Sequence, residues 1–165
     1  MIFTHMKTPL HKFTFSRKPI REWVEKNCEG LTLNLFAGNT KLNLSEVRVD
    51  SNIDMHADYH MDALQFLRDY KHKTRFSTVL LDPPYAIRKS MEMYEGHRMS
   101  PFKQIKDEIP KVLAPGGIVI TFGYHSVSMG VSRGFKVEHI LIMSHGGAIH
   151  DTIATIERST INLPF

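Results

Sequence analysis

The densest chemistry in the sequence is Asp82-Pro83-Pro84-Tyr85, which directly follows the apolar run Thr78-Val79-Leu80-Leu81. Two successive prolines fix φ and lack N–H donors, so the chain cannot continue a sheet there and its carbonyls turn outward as rigid acceptors. Beside them stand a carboxylate that only accepts hydrogen bonds and an aromatic ring that can lie on a flat heterocycle. An amine on a planar ring would be held by two oxygens while Tyr85 clamps the ring. Accepting both amine protons draws the nitrogen lone pair out of conjugation and aims it at an electrophile, which is catalysis by position without a covalent enzyme intermediate. The bland alternative is a Pro-rich turn at a strand end, with Tyr85 packed in the core.

A second candidate is Leu33-Asn34-Leu35-Phe36-Ala37-Gly38-Asn39-Thr40, an apolar run that enters a glycine turn. Glycine lets the backbone approach a ligand closely, so Phe36, Ala37, Gly38, Asn39 and Thr40 form a candidate cradle for a cofactor. Asp50 ends the next run, Val47-Arg48-Val49, where an acid commonly accepts hydrogen bonds from a ribose. Asp58 ends a further short stretch, Met55-His56-Ala57-Asp58. Either acid also reads as a solvated loop residue or a helix cap.

At Asp82 to Tyr85 the chain resembles the amino-methyltransferases of the Asp-Pro-Pro-Tyr type, best known as DNA adenine-N6 methyltransferases. The resemblance implies that Asp82 and the Pro83 carbonyl engage the target amine, that Tyr85 stacks on a flipped-out base, and that Pro84 holds the turn. Phe36-Ala37-Gly38 looks like that family's cofactor motif, Asp58 resembles its acid near the cofactor adenine, and Phe15-Ser16-Arg17-Lys18-Pro19 is similar to the segment ahead of the glycine motif, which puts Lys18 at the cofactor pocket. The implied methyl donor is S-adenosyl-L-methionine, and no metal is required. DNA is the first acceptor implied and structured RNA the next. Transfer to a protein glutamine is a third possibility, although relatives with that activity usually carry Asn where this chain has Asp82. A catalytically idle partner subunit that keeps the fold for binding is the alternative from another class.

The likeness runs over roughly residues 14 to 125 and departs at one place. Only about nine residues, able to reach about 30 Å when extended, separate Phe36 from the strand near Glu46. That spans the return along a strand of about 18 Å. It is too short for a helix with two loops, which the family usually has there. Thr40 also stands where a second glycine is common.

These groups need a scaffold, and the sequence supplies alternating elements. Strands are expected at Leu31 to Phe36, Val47 to Val49, Thr78 to Leu81, Ile118 to Phe122, Val137 to Met143 and Thr152 to Ile156, with a short third strand ending at Asp58. Helical spacing falls at Ile20 to Asn27, Met61 to Tyr70 with Asp62 as cap, and Pro101 to Leu113, where Pro115-Gly116-Gly117 marks the stop before the next strand. The pattern predicts an α/β protein with a Rossmann-like methyltransferase sheet, mostly parallel, ending in an antiparallel C-terminal hairpin and shortened at its first crossover. One domain over residues 1–165 is expected, with an N-terminal arm and helix at 1–30 and a substrate loop at 86–100, whose Arg88, Lys89, His97, Arg98 and Tyr94 suit phosphates around an extruded base.

Composition adds bounds. Twenty-one Lys and Arg against 17 Asp and Glu give a charge of +4, a bias toward polyanions that cannot separate DNA from RNA. A single cysteine, Cys28, excludes an internal disulfide framework and a multi-Cys metal site, which fits the cytoplasm. No apolar stretch approaches a membrane span. The ten histidines show no zinc spacing at His56/His60 or His145/His150. Because the segment Asn39 to Ser45 is too short to cover a two-sided sheet, a hydrophobic face is expected near Leu33 and Val49 unless the helix with Trp23 reaches it. That argues for a homodimer or a partner subunit.

Overall fold

A computed structural model describes residues 1–84, 101–147 and 150–161. Tyr85 and the expected substrate loop at 86–100 lie outside the described residues. The chain forms β1 (Ile2–Lys7), α1 (Lys18–Asn27), β2 (Thr32–Asn34), β3 (Glu46–Asp50), β4 (Tyr59–His60), α2 (Ala63–Asp69), β5 (Phe76–Leu81), α3 (Pro101–Glu108), β6 (Leu113–Gly123), β7 (Phe135–Ser144) and β8 (Thr152–Ser159). The strands make one eight-stranded sheet in the order β1-β7-β8-β6-β5-β2-β3-β4. All pairings are parallel except those of β8, which runs antiparallel to both β6 and β7.

Central β5 shows why the sheet needs cover on both faces: Val79, Leu80 and Leu81 are all fully buried. On one face α2 and α3 press Phe66, Leu67, Phe102 and Ile105 against Leu33, Val49, Val79 and Val119. On the other, α1 brings Ile20 and Val24, together with Phe15 and Leu42, onto Leu80, Ile120, Phe122 and Leu141. Helix α1 carries Pro in its first turn, where the missing N–H has no helical partner to lose. Helix α2 starts at Asp62, whose carboxylate accepts from the N–H groups of Leu64 and Gln65 at 2.9 and 3.1 Å.

Several sequence expectations are corrected. Ile2–Lys7, read as part of an arm, is a strand beside β7. The third strand is Tyr59–His60, just after Met55 to Asp58. The helix expected over Pro101 to Leu113 ends at Glu108 and finishes as a 3₁₀ turn at Ile109–Lys111. Pro115-Gly116-Gly117 does not precede β6 but bulges inside it: Phe76 pairs with Leu113 and Thr78 with Ile118. Leu33 and Val49 are completely buried, so the exposed face from which a dimer was argued is absent there.

Candidate functional site

Asp82 follows β5 at the C-terminal edge of the sheet, between the ends of β2 and β6. Ligands of open α/β sheets bind at this edge. Asp82 is half-buried, Pro83 buried and Pro84 exposed. The neighbouring strand β2 delivers the glycine turn to the same edge. Gly38 has φ +56°, so a side chain there would be strained, and a Cβ placed on it would lie in van der Waals contact with the Phe13 ring at 3.4 Å.

The turn is held by a residue that sequence reasoning passed over. Arg48 on β3 is 5% exposed, and its guanidinium donates to the carbonyls of Ala37 (3.2 Å), Gly38 (2.9 Å), Thr40 (2.8 Å) and His56 (2.6 Å). Its charge is met by Glu46 at 2.7 Å. Glu46 in turn accepts from the Asn34 side chain at 3.2 Å and the Leu42 N–H at 3.0 Å. A buried, fully bonded ion pair of this kind fixes geometry more than it adds stability.

The same strand gathers both expected acids. The Gly38 N–H donates to Asp50 at 2.9 Å, and the other Asp50 oxygen accepts from the Asn52 N–H at 2.9 Å. Asp58 accepts from the Arg48 N–H at 2.8 Å and returns its own N–H to the Arg48 carbonyl at 2.9 Å. Ala37, Gly38, Asp50 and Asp58 are thus tied into one unit through Arg48. Asn39 is exposed, Thr40 half-buried, and Phe36 packs partly into the core. Lys18 stands apart on the first turn of α1, with 75% of its side chain exposed and Glu22 3.7 Å away. Phe13, two residues ahead of the expected segment, is the residue against the glycine.

These residues fit a nucleoside cofactor with an amino-acid tail. Arg48 collects the turn's carbonyls, while the N–H groups of Asn39 and Thr40 have no acceptor among the described residues. Successive free N–H groups can receive a carboxylate. Asp50 and Asp58 keep unused lone pairs for hydroxyl or amine donors. Among the described residues no three metal-ligating side chains converge. His145 bonds the Thr8 carbonyl and the Thr152 hydroxyl, each at 2.8 Å, and His150 lies edge-on to Tyr124. Burial pushes the Cys28 thiol up to about 12, away from the thiolate form.

No family profile matches the sequence, and no curated protein matches it. Solved structures do share the architecture. TrmN from Thermus thermophilus superposes with a TM-score of 0.60 at 12% identity, over 86% of this chain and 47% of TrmN. The N-methyltransferase NodS from Bradyrhizobium japonicum WM9, in complex with S-adenosyl-L-homocysteine, gives 0.55 at 14% identity, over 86% of this chain and 84% of NodS. The chain has the Rossmann-like methyltransferase fold. A proposed rRNA methylase from Clostridium thermocellum gives 0.50 at 11% identity, covering 90% of this chain and 99% of its own. This chain spans about half the length of TrmN.

Among the described residues, no helix is long and apolar enough to cross a membrane. Arg48 and Glu46 escaped the sequence reading because alternation in Glu46-Val47-Arg48-Val49 places charges on an ordinary solvated face. Two opposite charges two positions apart, directly after a crossover too short for a helix, were the available signal.

Proposed function

We propose that the protein transfers a methyl group from S-adenosyl-L-methionine to the exocyclic N6 of adenine in nucleic acid, with DNA as the first substrate. The observation that carries this reading is the position of Asp82-Pro83-Pro84 at the end of central β5, beside the glycine turn of β2. The cofactor supplies an electrophilic methyl on a sulfonium. The turn at Phe36 to Thr40, with Asp50 and Asp58, holds it, and Arg48 keeps that turn in place. Asp82 and the Pro83 carbonyl accept hydrogen bonds from the two amine N–H groups and aim the nitrogen lone pair, Tyr85 stacks on the base, and after transfer the methylated amine loses its extra proton to solvent. As positive charge moves to the amine, the Asp82 carboxylate stabilises it. The base must leave its helix to reach this edge.

RNA is the second reading, favoured by the fold shared with the proposed rRNA methylase over nearly the whole of both chains. The deciding experiment incubates radiolabelled S-adenosylmethionine with DNA, RNA and protein, followed by nucleoside mass spectrometry. N6-methyladenine from DNA is expected, and Asp82→Ala should reduce it at least a hundredfold while leaving the circular dichroism spectrum unchanged. Wild-type turnover by that variant would remove the central argument. Calorimetry that detects no S-adenosylmethionine binding would instead favour an idle binding subunit. A homodimer would enlarge the nucleic-acid footprint, and light scattering at micromolar concentration reads it directly.

A further inference from the structure

The protein's positive charge is not spread over the chain. The first acid is Glu22; ahead of it stand Lys7, Lys12, Arg17, Lys18 and Arg21 with no Asp or Glu, so the remaining residues carry one more acid than base. The path of this stretch is set by its contacts. Lys7 ends β1 opposite Ser144, the Thr8 N–H donates to the Ser144 carbonyl at 3.0 Å, Phe13 reaches Gly38, and Phe15 meets Phe122 edge-on at 5.4 Å. It therefore runs along the rim of the C-terminal edge from β7 toward β2, four strand spacings or about 20 Å. That is about six phosphates of one nucleic-acid strand.

Several cations elsewhere are paired with acids. Arg158 pairs with Glu29 and Glu138, Lys111 with Glu108, Arg133 with Asp107, and Arg48 with Glu46. Lys7, Lys12 and Arg17 have no acidic partner among the described residues; Lys7 and Lys12 are exposed, with exposed His11 between them. The Lys12 ammonium sits 5.3 Å from the Phe13 ring centroid, which holds it near the glycine turn.

We infer that residues 7–17 form a backbone clamp, in which Lys7, Lys12 and Arg17 grip successive phosphates of the strand whose base is presented to Asp82. This rests on the nucleic-acid reading above and adds to it a surface independent of the 86–100 segment. Such contacts position the substrate without reading its sequence.

The test measures binding of a fluorescein-labelled 20-base-pair DNA duplex, and of the same sequence as RNA, by anisotropy across a KCl series. Lys7→Gln/Lys12→Gln should lower the slope of log affinity against log salt by nearly two, about 0.9 for each lost phosphate contact. At 0.1 M salt that is at least a tenfold loss. Lys71→Gln/Lys73→Gln, which removes the same charge from the connector ahead of β5 at the opposite edge, should leave the slope unchanged. S-adenosylmethionine affinity and the urea midpoint should be unaffected in both doubles. Equal slope changes in the two doubles, or none in the first, would overturn the clamp while the nucleic-acid reading stands. A wild type that binds S-adenosylmethionine but neither duplex would overturn both.

Discussion

Two stretches of the chain solve the same problem with opposite charges. The connections from β2 to β3 (35–45) and from β6 to β7 (124–134) each return the chain to start a parallel strand without an α-helix. A crossover helix would satisfy its own backbone, whereas an irregular segment leaves N–H and C=O groups to be paired by something else. In the first segment the buried cation Arg48 gathers carbonyls. In the second, Glu157, 0% exposed on β8, accepts the N–H groups of Ser128, Met129 and Gly130 at 2.9, 2.8 and 2.9 Å. The sign of the charge decides which groups are left over. Around Glu157 the spare carbonyls of Ser128 and Met129 are taken by Lys106 and Arg133 at 2.9 and 3.0 Å. Around Arg48 the spare groups include the N–H donors of Asn39 and Thr40, which have no such partner among the described residues. In the proposed function, one crossover is scaffold and the other receives the anionic end of the cofactor.

The strongest test of that contrast removes each charge. Arg48→Met leaves Glu46 buried and uncompensated and should destabilise by about 3–5 kcal/mol in urea unfolding. Glu157→Gln keeps one acceptor and should cost about 1–3 kcal/mol. Where Arg48→Lys folds, it keeps the charge but loses the planar fork that spans several carbonyls, and S-adenosylmethionine affinity should fall at least tenfold by calorimetry. Glu157→Gln should leave that affinity alone. Equal losses of affinity would end the distinction between receptor and scaffold.

A milder version uses glycine. Gly38 and Gly130 have φ +56° and +78°. Gly130→Ala should cost about 1–3 kcal/mol of stability and nothing in cofactor binding. Gly38→Ala should cost about 1–2 kcal/mol and also weaken S-adenosylmethionine binding, because the strain at φ +56° shifts the turn. Affinity that drops only in the Gly130 variant would invert the assignment.

The smallest effect comes from an exposed pair and gauges what burial contributes. Arg158 bonds Glu29 at 2.8 Å and holds its carboxyl below the ordinary value of 4.5. A depressed folded pKa gives stability that is present above the unfolded pKa and lost as pH falls through the folded one. Glu29 is half exposed, so the gap between wild type and Glu29→Gln should be at most about 1 kcal/mol at pH 7. It should close below pH 4.5 in denaturation measured across pH. A gap as large as that of Arg48→Met would mean that burial is not what gives the internal charges their hold.

What the sequence made legible follows burial. The run Thr78 to Leu81 announces a central strand because every residue in it is apolar or β-branched, and the Asp82-Pro83-Pro84 turn follows from backbone chemistry alone. Glycine 38 and the acids at 50 and 58 were found because each stands at the end of an apolar run. Strand β1 was missed because Ile2 to Lys7 is exposed almost throughout and has no buried periodicity to read. Strand β4 is two exposed residues. Arg48, Glu46 and Glu157 were invisible for a deeper reason: a charge in a strand reads as solvated, and only the tertiary path of a crossover reveals that it is enclosed. Lys18 was assigned by likeness, while the residue seated on the glycine is Phe13, five positions earlier.

Strand β1 has a temporal consequence. Its neighbour in the sheet is β7, and the Thr4 hydroxyl meets the His139 ring at 2.7 Å across 135 positions of sequence. At the usual 5–20 residues per second, that separation means the first strand is made on the order of 10 s before its partner. Throughout that interval Ile2 and Phe3 have no sheet to join. The N-terminal strand can therefore dock only after β7 has emerged, so the stretch that follows it, from Lys7 to Phe13, takes its place above the glycine turn late.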